Sequence, residues 1–259
     1  MLLQDKVAIV TGVGPGLGQA TAVAFAREGA AVGLAARSEE RLAGVAAEID
    51  DLGGRSLAVP TDVTDPDACR RLVESTVAEF GGLDCVVNSA FHPDLYGPFE
   101  QVDLKIWRDI LEVNLFGALH VTQAAIPHLK KRDSASIVNV GSMSARKIRG
   151  EEGGYATSKG ALHTATQVLA RELAPDGIRV NTVVPGWIWG PSVQIYVGWQ
   201  AESRGVPESE IVAEVESRIP LGFIPPQDDV ANAIVFFASD MSRVITGQAL
   251  DVNGGEYFH

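Results

Sequence analysis

Short apolar, mostly β-branched runs recur along the chain. Each is followed by a glycine-rich or polar turn and then by a stretch with apolar positions three and four residues apart. Val7-Ala8-Ile9-Val10 opens the series and enters Thr11-Gly12-Val13-Gly14-Pro15-Gly16-Leu17-Gly18. An Ala-rich helical pattern runs from Leu17 to Arg27 and stops at Gly29. Ala31 to Ala36 forms a second strand, after which Ser38 is placed to cap a helix carrying Leu42, Val45, Ala46 and Ile49. A third strand spans Ser56 to Val59. Thr64 and Asp67 then resemble a capping box that opens a helix to Phe80, closed by Gly81-Gly82. Leu83 to Val87 is the fourth strand and reaches Asn88-Ser89-Ala90, followed by a loop from Phe91 to Phe99. A long helical pattern covers Leu104 to Lys131. Asn114 interrupts it, a poor helix former expected to bend the ladder or to release a carbonyl. Ser136 to Val140 is the fifth strand, Tyr155 to Ala174 a helix, and Arg179 to Val184 a sixth strand broken by Pro185-Gly186. Residues 190–222 are the least regular part, with a charged amphipathic segment from Glu208 to Arg218. A last helix from Asp228 to Ala238 and a seventh strand from Thr246 to Val252 complete the pattern.

Strand and helix alternate throughout, without linker, repeat or low-complexity break. That order predicts an α/β fold: a single doubly wound Rossmann-type domain over residues 1–259, with a seven-stranded parallel sheet and helices on both faces. Strands apolar on both sides fit a sheet covered above and below. Residues 190–222 are expected to serve as a substrate loop or lid.

Composition narrows the function classes. With 46% hydrophobic and 21% charged residues the chain has material for a large core. A formal net charge of −12 argues against a nucleic-acid partner or an anionic membrane surface, both of which need a basic patch. Cys69 and Cys85 have no metal-ligand spacing and form no disulfide framework, so no metal site is expected. The start, MLLQDKVAIVTG, lacks the basic and apolar regions of a signal peptide, and no run has the ~18 apolar residues of a membrane span. A cytoplasmic location is expected.

Two stretches carry chemistry. The strand, glycine turn and helix at residues 7–27 can hold a phosphate: glycine permits close backbone approach, and the helix N-terminus offers N–H groups and a positive dipole end. The spacing is T-G-x-x-x-G-x-G, with Gly12, Gly16 and Gly18 in the fixed places, rather than the common G-x-G-x-x-G. A carboxylate at the end of the second strand would bind a ribose 2′-hydroxyl, but Ala36 and Arg37 stand there, followed by Ser38. A guanidinium attracts a 2′-phosphate, so Arg37 points to NADP, with NAD as the alternative should Arg37 face solvent. The second stretch is Asn139 to Lys159. Tyr155 and Lys159 lie at i and i+4, which puts phenol and ammonium on one helical face. A nearby ammonium favours phenolate, so such a tyrosine can exchange a proton with an alcohol or ketone, and Ser142, at a strand end, can reach the same oxygen. Arg146, Lys147 and Arg149 form a basic cluster that is either a solvated loop or a grip on an anionic substrate group.

With these motifs in order, at Thr11–Gly18, Asp62-Val63, Asn88-Ser89-Ala90, Asn114, Ser142, Tyr155/Lys159, Pro185-Gly186 and Thr246-Gly247, the chain resembles the short-chain dehydrogenase/reductase family nearly end to end. The resemblance implies hydride transfer between a nicotinamide cofactor and an alcohol or carbonyl. It implies that Gly12, Gly16, Leu17 and Gly18 form the pyrophosphate turn, that Asp62 and Val63 contact the adenine, and that Asn88 and Ala90 lie near the ribose. Tyr155 would be the general acid/base and Lys159 would bind the nicotinamide ribose while lowering the tyrosine pKa. Ser142 would hydrogen-bond the substrate oxygen, and Asn114 would hold a water linking Lys159 to solvent. Pro185, Gly186 and Ile188 would frame the carboxamide, and a homotetramer would form through the 104–131 and 155–174 helices. Three positions depart from the family pattern: Phe91 replaces a usual Gly, Gly190 a usual Thr (with Ser192 nearby), and Phe223 a usual Arg. Phe91, His92, Tyr96, Trp187, Trp189, Tyr196 and Trp199 fall in loops at strand ends and suggest a small-molecule substrate that is apolar or ring-bearing, unless they pack the lid's own core. A fold kept only as a cofactor-binding regulator would be expected to have lost part of the Asn114, Ser142, Tyr155 and Lys159 set, and none is missing.

Overall fold

Strands with no polar face must be covered above and below, and five such strands lie side by side here between two partly exposed edge strands. The computed structural model describes residues 1–94 and 97–258. The strands are β1 (Val7–Thr11), β2 (Ala31–Ala36), β3 (Arg55–Pro60), β4 (Cys85–Asn88), β5 (Ala135–Val140), β6 (Ile178–Pro185) and β7 (Ala249–Val252). All pairings are parallel, in the order β3-β2-β1-β4-β5-β6-β7. The order runs outward from β1 and β4 in opposite directions. The connections leaving these two strands therefore diverge and open a crevice at their carboxyl ends, where α/β sheets take ligands.

The helices are α1 (Leu17–Arg27), α2 (Glu39–Asp51), α3 (Pro66–Phe80), α4 (Leu104–Leu111), α5 (Ala118–Leu129), α6 (Gly153–Leu173), α7 (Pro191–Arg204), α8 (Glu208–Glu216) and α9 (Gln227–Ala238). Alternate strand residues sort to opposite faces. Ala8, Val10, Val32, Leu34 and Val138 pack with α1, α2 and α9, whereas Val7, Ile9, Ala35 and Ile137 pack with α3, α5 and α6. Among the described residues, no helix is long and apolar enough to cross a membrane.

A polar chain crosses the otherwise apolar centre. Asn88 Nδ2 donates to Thr122 Oγ1 at 3.1 Å and to Asn139 Oδ1 at 2.9 Å. Asn139 Nδ2 donates to Thr166 Oγ1 at 2.9 Å, and Thr182 Oγ1 reaches the same oxygen at 3.0 Å. The chain ties β4, β5, α6 and β6 into one register, which an apolar core alone specifies less tightly.

Three expectations are corrected. The capping box at Thr64 does not form: both the N–H and the hydroxyl of Thr64 bond to Asp62 Oδ1, and Asp65 caps α3 by accepting from Asp67 N at 2.8 Å. Pro66 explains the shift, because proline suits the first helical position and places the cap just before it. The expected helix over 104–131 ends at Leu129 and is not α-helical throughout, since Glu112–Gly117 makes a π turn around Asn114 between α4 and α5. Residues 190–222, expected to be irregular, contain α7 and α8, packed through Val197, Ala201 and Ile211.

Asn139→Ala should lower stability by roughly 2–3 kcal/mol, because it takes the acceptor from the Asn88 amide and a donor from Thr166 Oγ1, both buried, and opens a cavity. A fall in the urea midpoint at unchanged m-value would register this; a midpoint within error of wild type would contradict it.

Candidate active site

The crevice between β1 and β4 is a cleft of about 840 Å³. At one end the glycine turn is shaped by what surrounds it. A Cβ on Gly12, whose φ is +71°, would lie 2.6 Å from the Ala90 backbone, and one on Gly18 would lie 2.1 Å from Gly12 O. Gly12 therefore lets β4 approach, and Gly18 lets α1 start against the turn. Gly16, at φ +134°, caps α1 without a side-chain hydrogen bond. Gly16, Leu17 and Gly18 line the cleft, so an uncapped helix N-terminus stands at its wall, as a pyrophosphate requires. Thr11 holds the turn from below, its Oγ1 accepting from Ser89 N at 3.1 Å and Ala90 N at 3.3 Å.

Next to the turn, Arg37, Ser38, Asp62, Val63 and Ala90 line the cleft. Ser38 caps α2 as expected, accepting from Arg41 N. Arg41, which the sequence reading passed over, lines the same end as Arg37, as does Glu40. Its place four residues after Arg37, on the first turn of α2, was the available signal. These groups fit a dinucleotide: a donor-rich turn for its phosphates, two guanidiniums beside them, and a cradle that side chains larger than glycine would fill.

At the other end, Ser142, Tyr155, Lys159, Pro185, Gly186 and Ile188 line the same cleft. Lys159 is only 3% exposed, and burial draws its pKa down from the usual 10.5 to about 8. Its Nζ donates to Val140 O at 2.8 Å and lies 5.7 Å from the centre of the Tyr155 ring. Ser142 leaves the end of β5 in extended conformation, its Oγ accepting from Ser144 N at 3.1 Å.

The backbone around Tyr155 is held from three sides. Asp94, from the loop after β4, accepts from Tyr155 N at 2.8 Å and so caps α6 from outside it. No local pattern announces that contact. Trp107 of α4 lies against Gly153, where a Cβ would come within 2.5 Å of the ring. The π turn brings in Asn114, whose Oδ1 accepts from His92 N at 2.6 Å and whose Nδ2 donates to His92 O at 3.2 Å and Ser158 Oγ at 3.0 Å.

Two expected site residues stand behind the wall of the cleft. Asn88 is buried, and its side chain belongs to the polar chain through Asn139. The Asn114 carboxamide bonds His92 and Ser158, which leaves one lone pair of Oδ1 for a water.

The basic cluster is ion-paired, although the Lys147 and Arg149 side chains keep over a third of their surface exposed and line the cleft. Arg146 meets Asp251 at 2.6 Å, and Lys147 and Arg149 meet Glu256 at 3.1 and 3.2 Å. The aromatic residues divide. Phe91, His92 and Trp187 line the cleft, whereas Tyr196 and Trp199 lie on α7 rather than in a loop. Tyr196 packs on Trp187 with ring centres 5.2 Å apart, and Trp189 and Trp199 are exposed. Tyr96 lies outside the described residues. Ser192 and the backbone of Gly190 line the cleft, whereas Phe223 is exposed and nothing in the structure explains it.

A family model described as enoyl-(acyl carrier protein) reductase matches residues 12–256. The chain is 36% identical over 259 residues to the 3-oxoacyl-(acyl-carrier-protein) reductase FabG of Thermotoga maritima, covering 98% of this chain and 99% of that protein. A short-chain type dehydrogenase/reductase from Mycobacterium marinum superposes with a TM-score of 0.87 at 31% identity, covering 99% of this chain and 97% of that one. NAD+-bound xylitol dehydrogenase superposes with a TM-score of 0.91 at 28% identity, covering 98% and 100%. The chain thus belongs to the short-chain dehydrogenase/reductase family, oxidoreductases of alcohols and ketones that use a nicotinamide cofactor.

Proposed function

We propose that this protein is an NADP-dependent oxidoreductase that interconverts a secondary alcohol and its ketone, with Tyr155 as the general acid/base. The observation that carries the reading is the buried ammonium of Lys159, held 5.7 Å from the Tyr155 ring in a cleft that Ser142 also lines. Burying that charge works against stability, and such an arrangement gathers at functional sites.

The nicotinamide, when bound, supplies or takes up the hydride. In the oxidative direction the substrate hydroxyl passes its proton to Tyr155 Oη as its carbon becomes a carbonyl carbon; in the reductive direction Tyr155 returns the proton to the carbonyl oxygen. The Ser142 hydroxyl donates to that oxygen as negative charge develops on it. Lys159 keeps positive charge beside the phenol and offers its remaining N–H groups to ribose hydroxyls.

Arg37 and Arg41 at the adenosine end support NADP, and no carboxylate follows the end of β2 directly. NAD is the second reading, favoured by Glu40 at the same end and by the likeness to an NAD+-bound enzyme. Phe91 and Trp187 support a ring-bearing substrate, and Pro191, Ser192 and Val193 on the cleft wall support a lid role for residues 190–222 within one domain of 259 residues. The exposed Phe116 and Val168 on the paired helices, with Leu250 at the sheet edge, support a homotetramer. Cys69 and Cys85, both free and buried, fit a reducing cytoplasm.

Tyr155→Phe should lower turnover by about 10²–10⁴-fold while nucleotide affinity stays near wild type; a variant retaining more than about a tenth of the activity would refute the assignment. Fluorescence titration should find NADPH bound more tightly than NADH, and Arg37→Ala should cut that preference by about tenfold. Equal affinities in wild type would favour NAD. The pKa of Lys159 near 8 lies below its unfolded value of about 10.4, so the cost of its charge is complete below pH 8 and is relieved as pH rises toward 10.4. Cofactor-free wild type should therefore gain stability relative to Lys159→Met between pH 7 and 10. Parallel melting curves across that range would show the ammonium is not buried at such a cost.

A further inference from the structure

Glu152 has no part in the proton and hydride steps, yet it lines the cleft one helical turn before Tyr155 and is only 8% exposed. It stands at the N-cap of α6 without capping it, and Asp94 does that work instead. Ser144 hydrogen-bonds the carboxyl. Burial raises its pKa, Arg149 and Ser144 draw it back, and Asp94 raises it further. One oxygen, Oε1, is buried with no hydrogen-bond partner among the described residues. An unmet buried acceptor is costly, and in a ligand cleft the ligand is the natural partner. Trp187, on the same cleft wall, has a buried Nε1 that likewise lacks a partner. The cleft thus lacks a donor for Glu152 and an acceptor for Trp187. A hydroxyl can serve as either, whereas an ammonium can only donate.

We propose that Glu152 determines specificity by accepting a hydrogen bond from a second hydroxyl of the substrate, which makes the substrate class a diol on a ring that Phe91 and Trp187 flank. This inference rests on the alcohol–ketone reading of the site. Arg149 is already paired with Glu256, so Glu152 is not held as its counter-ion alone and is left to serve the ligand.

The test separates binding from turnover. In Tyr155→Phe saturated with NADP+, calorimetric titration compares cyclohexanol, cis-1,2-cyclohexanediol and 2-aminocyclohexanol. The diol should bind at least about tenfold more tightly than cyclohexanol, and adding Glu152→Leu, which has no acceptor, should remove most of that preference. A merely structural role would weaken both compounds alike and leave their ratio unchanged. Retained NADP+ binding shows that the double variant is folded; should it fail, Ser144→Ala, which frees the carboxyl from its hydroxyl partner, should change the same ratio by about threefold. The inference is overturned by an absent diol preference, by a preference that survives Glu152→Leu, or by tighter binding of the amino alcohol. Wild-type turnover is read separately. Turnover without diol preference overturns this inference alone, and diol preference without turnover of any of the compounds overturns the alcohol–ketone reading alone.

Discussion

An ammonium taken almost wholly out of water is the constraint around which the site is arranged. Lys159 can be tolerated there only because its Nζ meets the last carbonyl of β5 and the face of the Tyr155 ring. Both contacts depend on α6 lying at one height against β5 and β6. Apolar packing fixes such a height loosely, since one methyl group substitutes well for another. Directional bonds fix it tightly. The chain from Asn88 through Asn139 and Thr166 to Thr182 supplies them, joining two strands, a helix and a third strand below the lysine. The polar residues in the core and the charged residue in the site are thus parts of one arrangement, the first holding the second in register.

Support from above comes from parts of the chain that have little structure of their own. The loop after β4 contributes Asp94 to the N-terminus of α6, and Asn114 in turn grips the same loop by both the N–H and the carbonyl of His92. A π turn has the extra residue needed to aim a side chain sideways from a helix, so the irregular turn and the helix cap belong to one device. Gly153 and Gly154 then let Trp107 close over the start of α6. A larger residue at either position would push the helix away from the loop that caps it.

How much of this could be read from the sequence follows from the range of the interaction concerned. Ala31–Ala36 is legible because its apolar run lies between the helix-ending Gly29 and the charged Arg37. The glycine turn, Tyr155 with Lys159 and Ser142 were legible because each is a local pattern with a local reason, and all of them line one cleft. The third helix start was misplaced by one residue because Thr64 and Asp65 are both good caps, and only the proline that follows decides between them. The irregularity at Asn114 was anticipated but not its form, since a π turn depends on where the side chain finds partners. The resemblance implies only the strand-end backbone of Asn88 near the ribose; its side chain bonds a buried amide on β5, a partner that no local pattern announces. The pairing of Arg146, Lys147 and Arg149 had no local trace, because Asp251 and Glu256 lie more than a hundred residues further on.

That distant pairing has a consequence for how the site comes to exist. The segment between β5 and α6, which carries Ser142, Ser144 and Glu152, is tied through three cations to β7 and the residues just beyond it. Glu256 has no exposed side-chain surface, whereas Lys147 and Arg149 keep 39% and 37% of theirs, so in this pairing a buried carboxylate is met by cations that reach out to solvent. Breaking it by removing one partner would leave an uncompensated charge beside the cleft. Gly186, which lines the same end, closes on Asn253, where a Cβ would come within 2.8 Å. The segment that carries Ser142 can therefore reach its final shape only after the last strand has docked against β6. Contacts that span this much sequence form late, because loop closure has to precede them.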